Sequence, residues 1–205
     1  MANQLAFYFN QSACTGCKAC QLACKDDNDL DEGILWRRVV EVQGGGWTQS
    51  GSAWIQNLTV YHLSMACNHC EEPICEEVCP TQAITKRDDG IVLIDEDKCI
   101  GCGYCQWVCP YAAPQYQADK GKMTKCDFCY EYVDAGLEPA CVAACPMRAL
   151  EFGELSELQA RHGNISTIYP MPDPSLTKPA IVITPHRTAA PGQMDGLEIA
   201  NMEEI

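Results

Sequence analysis

Sixteen cysteines in a chain of 205 residues constrain this sequence more than any other feature. They fall into four groups of four, and no cysteine is left over. The groups, in chain order, are Cys14, Cys17, Cys20 and Cys24; Cys67, Cys70, Cys75 and Cys79; Cys99, Cys102, Cys105 and Cys109; and Cys126, Cys129, Cys141 and Cys145. A chain this rich in cysteine is expected to stabilise its core through crosslinks, either disulfides or metal centres.

The spacing within the groups indicates iron–sulfur chemistry. The first and third groups follow the C-x2-C-x2-C-x3-C pattern of bacterial ferredoxins. Three thiolates from one short loop can bind three irons of a single cube only if the backbone wraps closely around it. Gly16 and Gly101 have no Cβ at the narrowest part of that wrap. The sequence therefore predicts [4Fe-4S] clusters.

Zinc and disulfides are the two alternatives for these cysteines. The fourth group alone, with two cysteine pairs separated by an insert, is also typical of a zinc site. Cysteines two residues apart rarely make good disulfides with each other, and residues 1–10 show no secretion signal that would favour an oxidising compartment. Neither alternative explains the C-x2-C-x2-C-x3-C runs.

The order of the groups predicts which cysteines share a cluster. In two-cluster ferredoxins the fourth cysteine of each run binds the neighbouring cluster. Groups two and three are adjacent and form one pair, and groups one and four pair around them. The predicted clusters are site 1, Cys14, Cys17, Cys20 and Cys145; site 2, Cys67, Cys70, Cys75 and Cys109; site 3, Cys79, Cys99, Cys102 and Cys105; and site 4, Cys24, Cys126, Cys129 and Cys141.

The predicted fold class is α+β, with one bacterial-ferredoxin-like module nested inside another. The domains are an outer module (residues 1–30 plus 110–153), a β-hairpin insertion (31–66), an inner module (67–109), and a helix followed by a proline-rich docking tail (154–205). Apolar runs predict strands at Leu5–Phe9, Val39–Val42, Ile55–Leu63, Ile91–Ile94 and Ile181–Ile183. Charge placement predicts a helix at Glu154–His162 that stops at Gly163. The prolines beyond it, including Pro191, predict a tail extended over a surface.

Charge and hydropathy exclude several functions. The net charge of −14 argues against nucleic acid as a partner. No stretch approaches the ~18 apolar residues of a membrane span. Arg37-Arg38 looks like a twin-arginine signal, but it is internal and continues into Val39. No nucleophile and base pair can be identified, so the sequence predicts no catalytic residues.

Several residues beside the cysteines could act on the clusters. His69, between two ligands, is expected to lie around the cluster or at the surface, and His62, His162 and His186 are expected to be structural. Aromatic side chains are expected to shield the cubes from water: Tyr104, Trp107, Tyr111 and Tyr116. Basic residues next to ligands would offset cluster charge or be solvated: Lys18, Lys25, Lys98, Lys125 and Arg148.

Short motifs around the ligands extend this interpretation to a family. The segments are Cys14–Lys18, Cys67–Cys70, Cys109–Tyr116, Met123–Asp127 and Thr177–Pro179. Together with the four groups they resemble the four-cluster electron-transfer subunits of molybdopterin oxidoreductases over essentially the whole chain. Within that family the sequence is most similar to the iron–sulfur subunits of anaerobic dimethyl sulfoxide reductases.

The resemblance implies a non-catalytic wiring role. Electrons would pass through four [4Fe-4S] clusters from an integral membrane anchor subunit that oxidises quinol to a molybdopterin catalytic subunit. Relatives that act with polysulfide, thiosulfate or formate share the cysteine groups, and a free-standing polyferredoxin shuttle is a further alternative. The complex would be membrane-associated, at the outer (periplasmic) face of the inner membrane through co-export with the catalytic partner, or alternatively cytoplasmic.

Overall fold

The computed structural model describes residues 3–189 and 196–205 as a mixture of short helices and strands. The strands are β1 (Leu5–Asn10), β2 (Arg38–Gly44), β3 (Trp47–Ser50), β4 (Ala53–Gln56), β5 (Thr59–Met65), β6 (Ile84–Lys86), β7 (Val92–Ile94), β8 (Gln115–Gln117), β9 (Lys122–Thr124), β10 (Leu150–Glu154), β11 (Ile181–Thr184) and β12 (Leu197–Ile199). The helices are α1 (Ala19–Asp27), α2 (Ile74–Glu77), α3 (Tyr104–Val108), α4 (Tyr130–Asp134), α5 (Ala140–Ala143) and α6 (Leu155–His162).

A three-stranded sheet forms the centre of the protein, with β1 between β10 and β11. Strand β1 runs antiparallel to β10 and parallel to β11. Its side chains alternate between two faces, as a strand requires. Phe7 and Phe9 enter the main core with many of the cysteines, whereas Ala6 and Tyr8 pack in a smaller core with α6. The prediction of a strand at Leu5–Phe9 is confirmed.

A second sheet holds β2 between β12 and β5. Strands β2 and β5 pair antiparallel from Arg38↔Met65 to Gly44↔Thr59. The prediction of one continuous strand at Ile55–Leu63 is wrong, because the chain turns at residues 57–58 and changes partner. The segment before the turn, β4, pairs instead with β3 as an exposed hairpin.

Two small hairpins complete the sheets. Strand β6 pairs with β7, and β8 pairs with β9. Ile84, Val92 and Met123 from these hairpins pack in a small core with Cys99 and Cys105. The strand predicted at Ile91–Ile94 is confirmed as β7, one residue shorter.

Helix α6 begins one residue after the predicted start, at Leu155, with Glu154 at its N-terminal boundary. Leu155 and Leu158 are buried, so one face of the helix covers the central sheet. Gly163 ends the helix with a φ of 90°, a conformation that glycine adopts without strain. Within the described ranges, no helix combines the length and the apolar character needed to cross a membrane.

The proline-rich tail is partly a core element. Ile181, Val182 and Ile183 are at most 4% exposed and extend the central sheet as β11. The strand prediction here is confirmed, but the expectation that the tail only lies extended over a surface is wrong for this segment. The backbone N–H of Glu71 donates to Lys178 O at 2.8 Å, so the tail also contacts the second cysteine group. Residues 190–195, with Pro191, lie outside the described part of the chain.

We therefore expect Ile183→Ala to destabilise the protein. Removal of a buried branched side chain leaves a cavity and costs about 2–5 kcal/mol. The anaerobically purified protein should show a clearly lower midpoint of thermal unfolding. Leu176→Ala is the matched control, because Leu176 lies in the same tail and is 58% exposed. Equal midpoints for the two variants would contradict the placement of β11 in the core.

Candidate iron–sulfur sites

The cysteines predicted for site 2 surround one cavity. Its wall contains Cys67, Cys70, Cys75 and Cys109. Buried Tyr111 and Lys125 also line it, as does Thr177 from the tail. The Thr177 hydroxyl and the Tyr111 hydroxyl are 3.3 Å apart and hydrogen bond to each other. Inner-module cysteines and a tail residue therefore share one site.

Two further cavities contain the cysteines of sites 1 and 3. One cavity is lined by Cys14, Cys17, Cys20 and Cys145. The other is lined by Cys79, Cys99, Cys102 and Cys105. Each cavity includes one cysteine from the partner group, as the exchange of fourth cysteines predicts.

The cysteines of site 4 lie close enough to affect one another's ionisation. Burial raises the pKa of Cys24 to about 12, against the lowering effect of Arg37. Burial also raises the pKa of Cys129 to about 12, and the charge of Cys141 raises it further. The pKa of Cys126 is raised well above its usual value by burial first and then by Cys24. Helix α1, which carries Cys24, also packs against α5, which carries Cys141.

Four helices each relate two neighbouring sites. Helix α1 carries Cys20 of site 1 and Cys24 of site 4, one turn apart. Helix α5 carries Cys141 of site 4, with Cys145 of site 1 beyond its end. Helices α2 and α3 make the same exchange between sites 2 and 3, through Cys75 with Cys79 and through Cys105 with Cys109. Helix α1 packs against α5, and helix α2 packs against α3.

A recurring turn orients the last cysteine of three groups. The sequence Cys-Pro-x-x-Ala occurs at Cys79, Cys109 and Cys145. In each turn the alanine N–H donates to the cysteine sulfur, at 3.2, 3.5 and 3.3 Å. The residue before each alanine has a positive φ. Cys24 has no such turn, because α1 continues to Asp27. The threefold repeat is visible in the sequence, but its alanine was not among the predicted functional residues.

The cavities and their thiols fit a polynuclear cluster. In the described part of the chain, no three Cys, His, Asp or Glu side chains converge on a point that could hold a single ion. The cysteines of sites 1, 2 and 3 instead stand around hollow spaces, and backbone N–H groups donate to several of the sulfurs. Thiolates in this arrangement suit iron–sulfur clusters, which are held by four cysteines and tuned by hydrogen bonds to sulfur.

Gly16 and Gly101 in the ligand loops leave no room for a side chain. The atoms that crowd them belong to other parts of the chain. Gly16 has a φ of 69°, and a Cβ there would lie 2.3 Å from the ring of His62. Gly101 has a φ of 68°, and a Cβ there would lie 2.3 Å from Gly121 O. A side chain at either position would therefore collide with a neighbouring segment and would also strain the backbone at its positive φ.

The predicted surroundings of the sites are only partly confirmed. Tyr111 is buried and lines site 2, and Tyr104, although about half exposed, lines site 3. Trp107 is 78% exposed and lines none of the three cavities, so the expectation that all four aromatic residues shield clusters is wrong for Trp107. Lys125 is buried, lines site 2 and donates to Cys126 O at 2.9 Å.

The other basic residues beside ligands are partly or fully exposed and have local partners. Lys18 pairs with Glu204, Lys98 with Asp95, and Lys25 and Arg148 donate to nearby carbonyls. Of the predicted basic neighbours, Lys125 is therefore the one placed to offset charge in the interior.

The histidines act through packing and hydrogen bonds. His69 is buried, and its Nδ1 accepts the Val92 N–H at 3.0 Å. Burial, followed by the charges of Lys125 and Arg37, holds the pKa of His69 well below its usual value. His162 stacks on Tyr8 with 3.7 Å between ring centres. The structural role expected of His62 and His186 fits their contacts with Gly16 and Thr188.

Two residues that the sequence did not connect with the clusters lie beside sites 1 and 4. Arg37 is 2% exposed, and its Nη1 donates to Ser64 Oγ at 3.1 Å. Ser64 lines the cavity of site 1, and its Oγ lies 3.3 Å from Cys20 Sγ. Neither residue is within a cysteine motif, so spacing gave no signal for it.

Comparison with known proteins agrees with the site chemistry. Residues 58–155 match the family model "4Fe-4S dicluster domain", and residues 11–27 match the model "4Fe-4S binding domain". Together these segments contain all sixteen cysteines. Every cysteine therefore lies in a segment that matches a model of an iron–sulfur-binding domain.

Three relatives match the sequence over most of its length. It is 49% identical to the B subunit of anaerobic dimethyl sulfoxide reductase from Escherichia coli K12, over all of both proteins. It is 49% identical to the B subunit of the same reductase from Haemophilus influenzae, over 91% of each. It is 39% identical to the thiosulfate reductase electron transfer subunit PhsB of Salmonella typhi, over 77% of this sequence and 79% of the relative.

The two 4Fe-4S domains, the cysteine-lined cavities and the full-length identity lead to one conclusion. This protein is a member of the family of anaerobic dimethyl sulfoxide reductase B subunits, the iron–sulfur electron-transfer subunits of oxidoreductases.

Proposed function

We propose that this protein carries electrons through four [4Fe-4S] clusters, one at each of sites 1 to 4. The observation that carries this proposal is the grouping of the cysteines of sites 1, 2 and 3 around separate cavities, each with the partner group's fourth cysteine, which leaves the remaining four cysteines for site 4. When bound, the clusters supply one-electron redox chemistry. The residues of this chain hold, space and shield them.

The clusters form a linear path in the order site 1, site 4, site 2, site 3. Sites 1 and 4 are joined through α1 and α5, and sites 2 and 3 through α2 and α3. The link between the two pairs is supported by Cys126 of site 4, whose pKa is affected by the charge of Cys67 of site 2. This arrangement also supports the nested-module organisation, with sites 1 and 4 in the outer module and sites 2 and 3 in the inner one.

The partners are a molybdopterin catalytic subunit and a membrane anchor subunit that oxidises quinol. This protein is not the catalytic subunit and transfers electrons between these two partners. That role agrees with the name of the thiosulfate reductase relative, an electron transfer subunit. The higher identity to the dimethyl sulfoxide reductase subunits favours that type of reductase over a thiosulfate enzyme. The complex lies at the outer face of the inner membrane through co-export, with the cytoplasmic face as the alternative.

Exposed parts of the tail contribute to docking on a partner subunit. Residues 164–205 include the buried strand β11, so a full deletion would test the core rather than docking. Leu176 and Met202 are 58% and 62% exposed, so these large apolar side chains in the described part of the tail are available to a partner.

Metal analysis tests the proposed cluster number. Four cubes predict about sixteen irons and as many acid-labile sulfides per protein molecule in an anaerobic preparation. About eight irons, or stoichiometric zinc, would contradict the assignment. Removal of the iron with a chelator should unfold the region between Cys14 and Cys145, because the binding of structural metals is coupled to folding.

Cys102→Ser tests the ligand set of site 3. Cys102 is exposed, and loss of its thiolate leaves one iron without a cysteine ligand. That iron should be lost on oxidation, so one cluster of the four becomes a three-iron cluster. EPR of the oxidised variant should show its signal. Ile100→Ala changes an exposed side chain of the same loop and should keep all four cubes. Four intact cubes in Cys102→Ser would remove Cys102 from the ligand set.

A further inference from the structure

Arg37 is a charged side chain in the interior of the protein, between two of the proposed cluster sites. It is 2% exposed, and its guanidinium lies over the ring of Phe7, 4.7 Å from the ring centre. Phe7 stacks in turn on Phe128, which lies between two cysteines of site 4 in the sequence. Within the described residues no carboxylate forms an ion pair with Arg37. A buried, unpaired cation is unfavourable unless negative charge is nearby.

The negative charge would come from cysteines once they bind clusters as thiolates. Burial lowers the pKa of Arg37, but nearby cysteines more than offset this and raise it above its usual value. The cysteines close enough to act on it are Cys141, Cys20, Cys126 and Cys24. One of these belongs to site 1 and three belong to site 4.

A directed hydrogen-bond relay connects Arg37 to site 1. Arg37 Nη1 can only donate, so Ser64 Oγ accepts from it at 3.1 Å. The Ser64 hydroxyl is then oriented to donate to Cys20 Sγ, 3.3 Å away. Hydrogen bonds to cluster sulfurs are one of the factors that set the reduction potential.

The guanidinium has further unused donors. Arg37 Nε and Nη2 find no hydrogen-bond acceptor among the described residues. Buried donors without a partner are unfavourable for folding. The presence of an arginine here, in spite of that cost, agrees with a role toward negatively charged groups at sites 1 and 4.

We propose that Arg37 is an internal cation that raises the reduction potentials of the clusters at sites 1 and 4, and that Ser64 transmits part of its effect to site 1 through Cys20. This inference rests on the cluster assignment of the proposed function. A reduced cluster carries one more negative charge than an oxidised cluster, so a nearby cation and a hydroxyl donor both stabilise the reduced form. They therefore make both clusters better electron acceptors at one end of the path.

Redox titration monitored by EPR tests the proposal on the full-length protein loaded with iron. In Arg37→Met, two of the four midpoint potentials should fall and two should stay unchanged. In Ser64→Ala, which keeps the charge, one of the same two potentials should fall. Arg37→Lys should restore both potentials toward those of the unaltered protein, because the lysine keeps the positive charge. Arg161→Met is the matched control, since Arg161 is 54% exposed and pairs with Glu151.

Unchanged potentials in both Arg37→Met and Ser64→Ala would overturn the inference, as would an equal shift of all four. If Arg37→Met does not load with iron, Ser64→Ala decides: a single lowered potential supports the relay, and four unchanged potentials overturn it. Iron analysis of the unaltered protein separates this result from the proposed function. Fewer than about sixteen irons there would contradict the four-cluster assignment itself.

Discussion

Mutual repulsion and desolvation of clustered thiolates is the constraint on which the rest of the structure depends. Burial raises the pKa of Cys24, Cys70 and Cys75 to about 12, so these thiols are protonated near neutral pH when no metal is present. Cluster binding must deprotonate them, and the positive iron core must supply the energy for it. On the proposed assignment, the polypeptide would reach its stable state only together with its metal, and the sheets would hold the four sites at fixed separations.

The sheets and the cluster sites share one core. Strand β1 directs Phe7 and Phe9 into the same core as Cys20, Cys126 and many other ligands. The tail closes the central sheet through β11 and reaches site 2 through Thr177. Segments far apart in the sequence thus meet at each cluster site, and no site is formed by one continuous loop.

The cysteine groups can be read from the sequence because the spacing within each group is a local geometric requirement. The apolar run of β1 and the charge placement along α6 are local signals of the same kind. The polar pair Gln56-Asn57 lies where β4 ends, but polar residues also fit the exposed face of a strand, so the pattern does not predict the change of strand partner at residues 57–58. The density of prolines in the tail predicts an exposed segment. The burial of Ile183 has no local signal, because its strand partner β1 is more than 170 residues away. Arg37 could not be found by pattern, because its role depends on three-dimensional position alone.

The shared helices have a consequence for assembly. On the proposed assignment, helix α1 supplies Cys20 to one cluster and Cys24 to its neighbour, and Cys141 of α5 with Cys145 beyond its end does the same in reverse. The first cluster inserted into such a pair would fix both helices and so arrange ligands for the second before it arrives. Loading within a pair would then be cooperative, and half-filled pairs would be scarce relative to empty and full ones. Cluster insertion would consist of two cooperative steps per molecule rather than four independent ones.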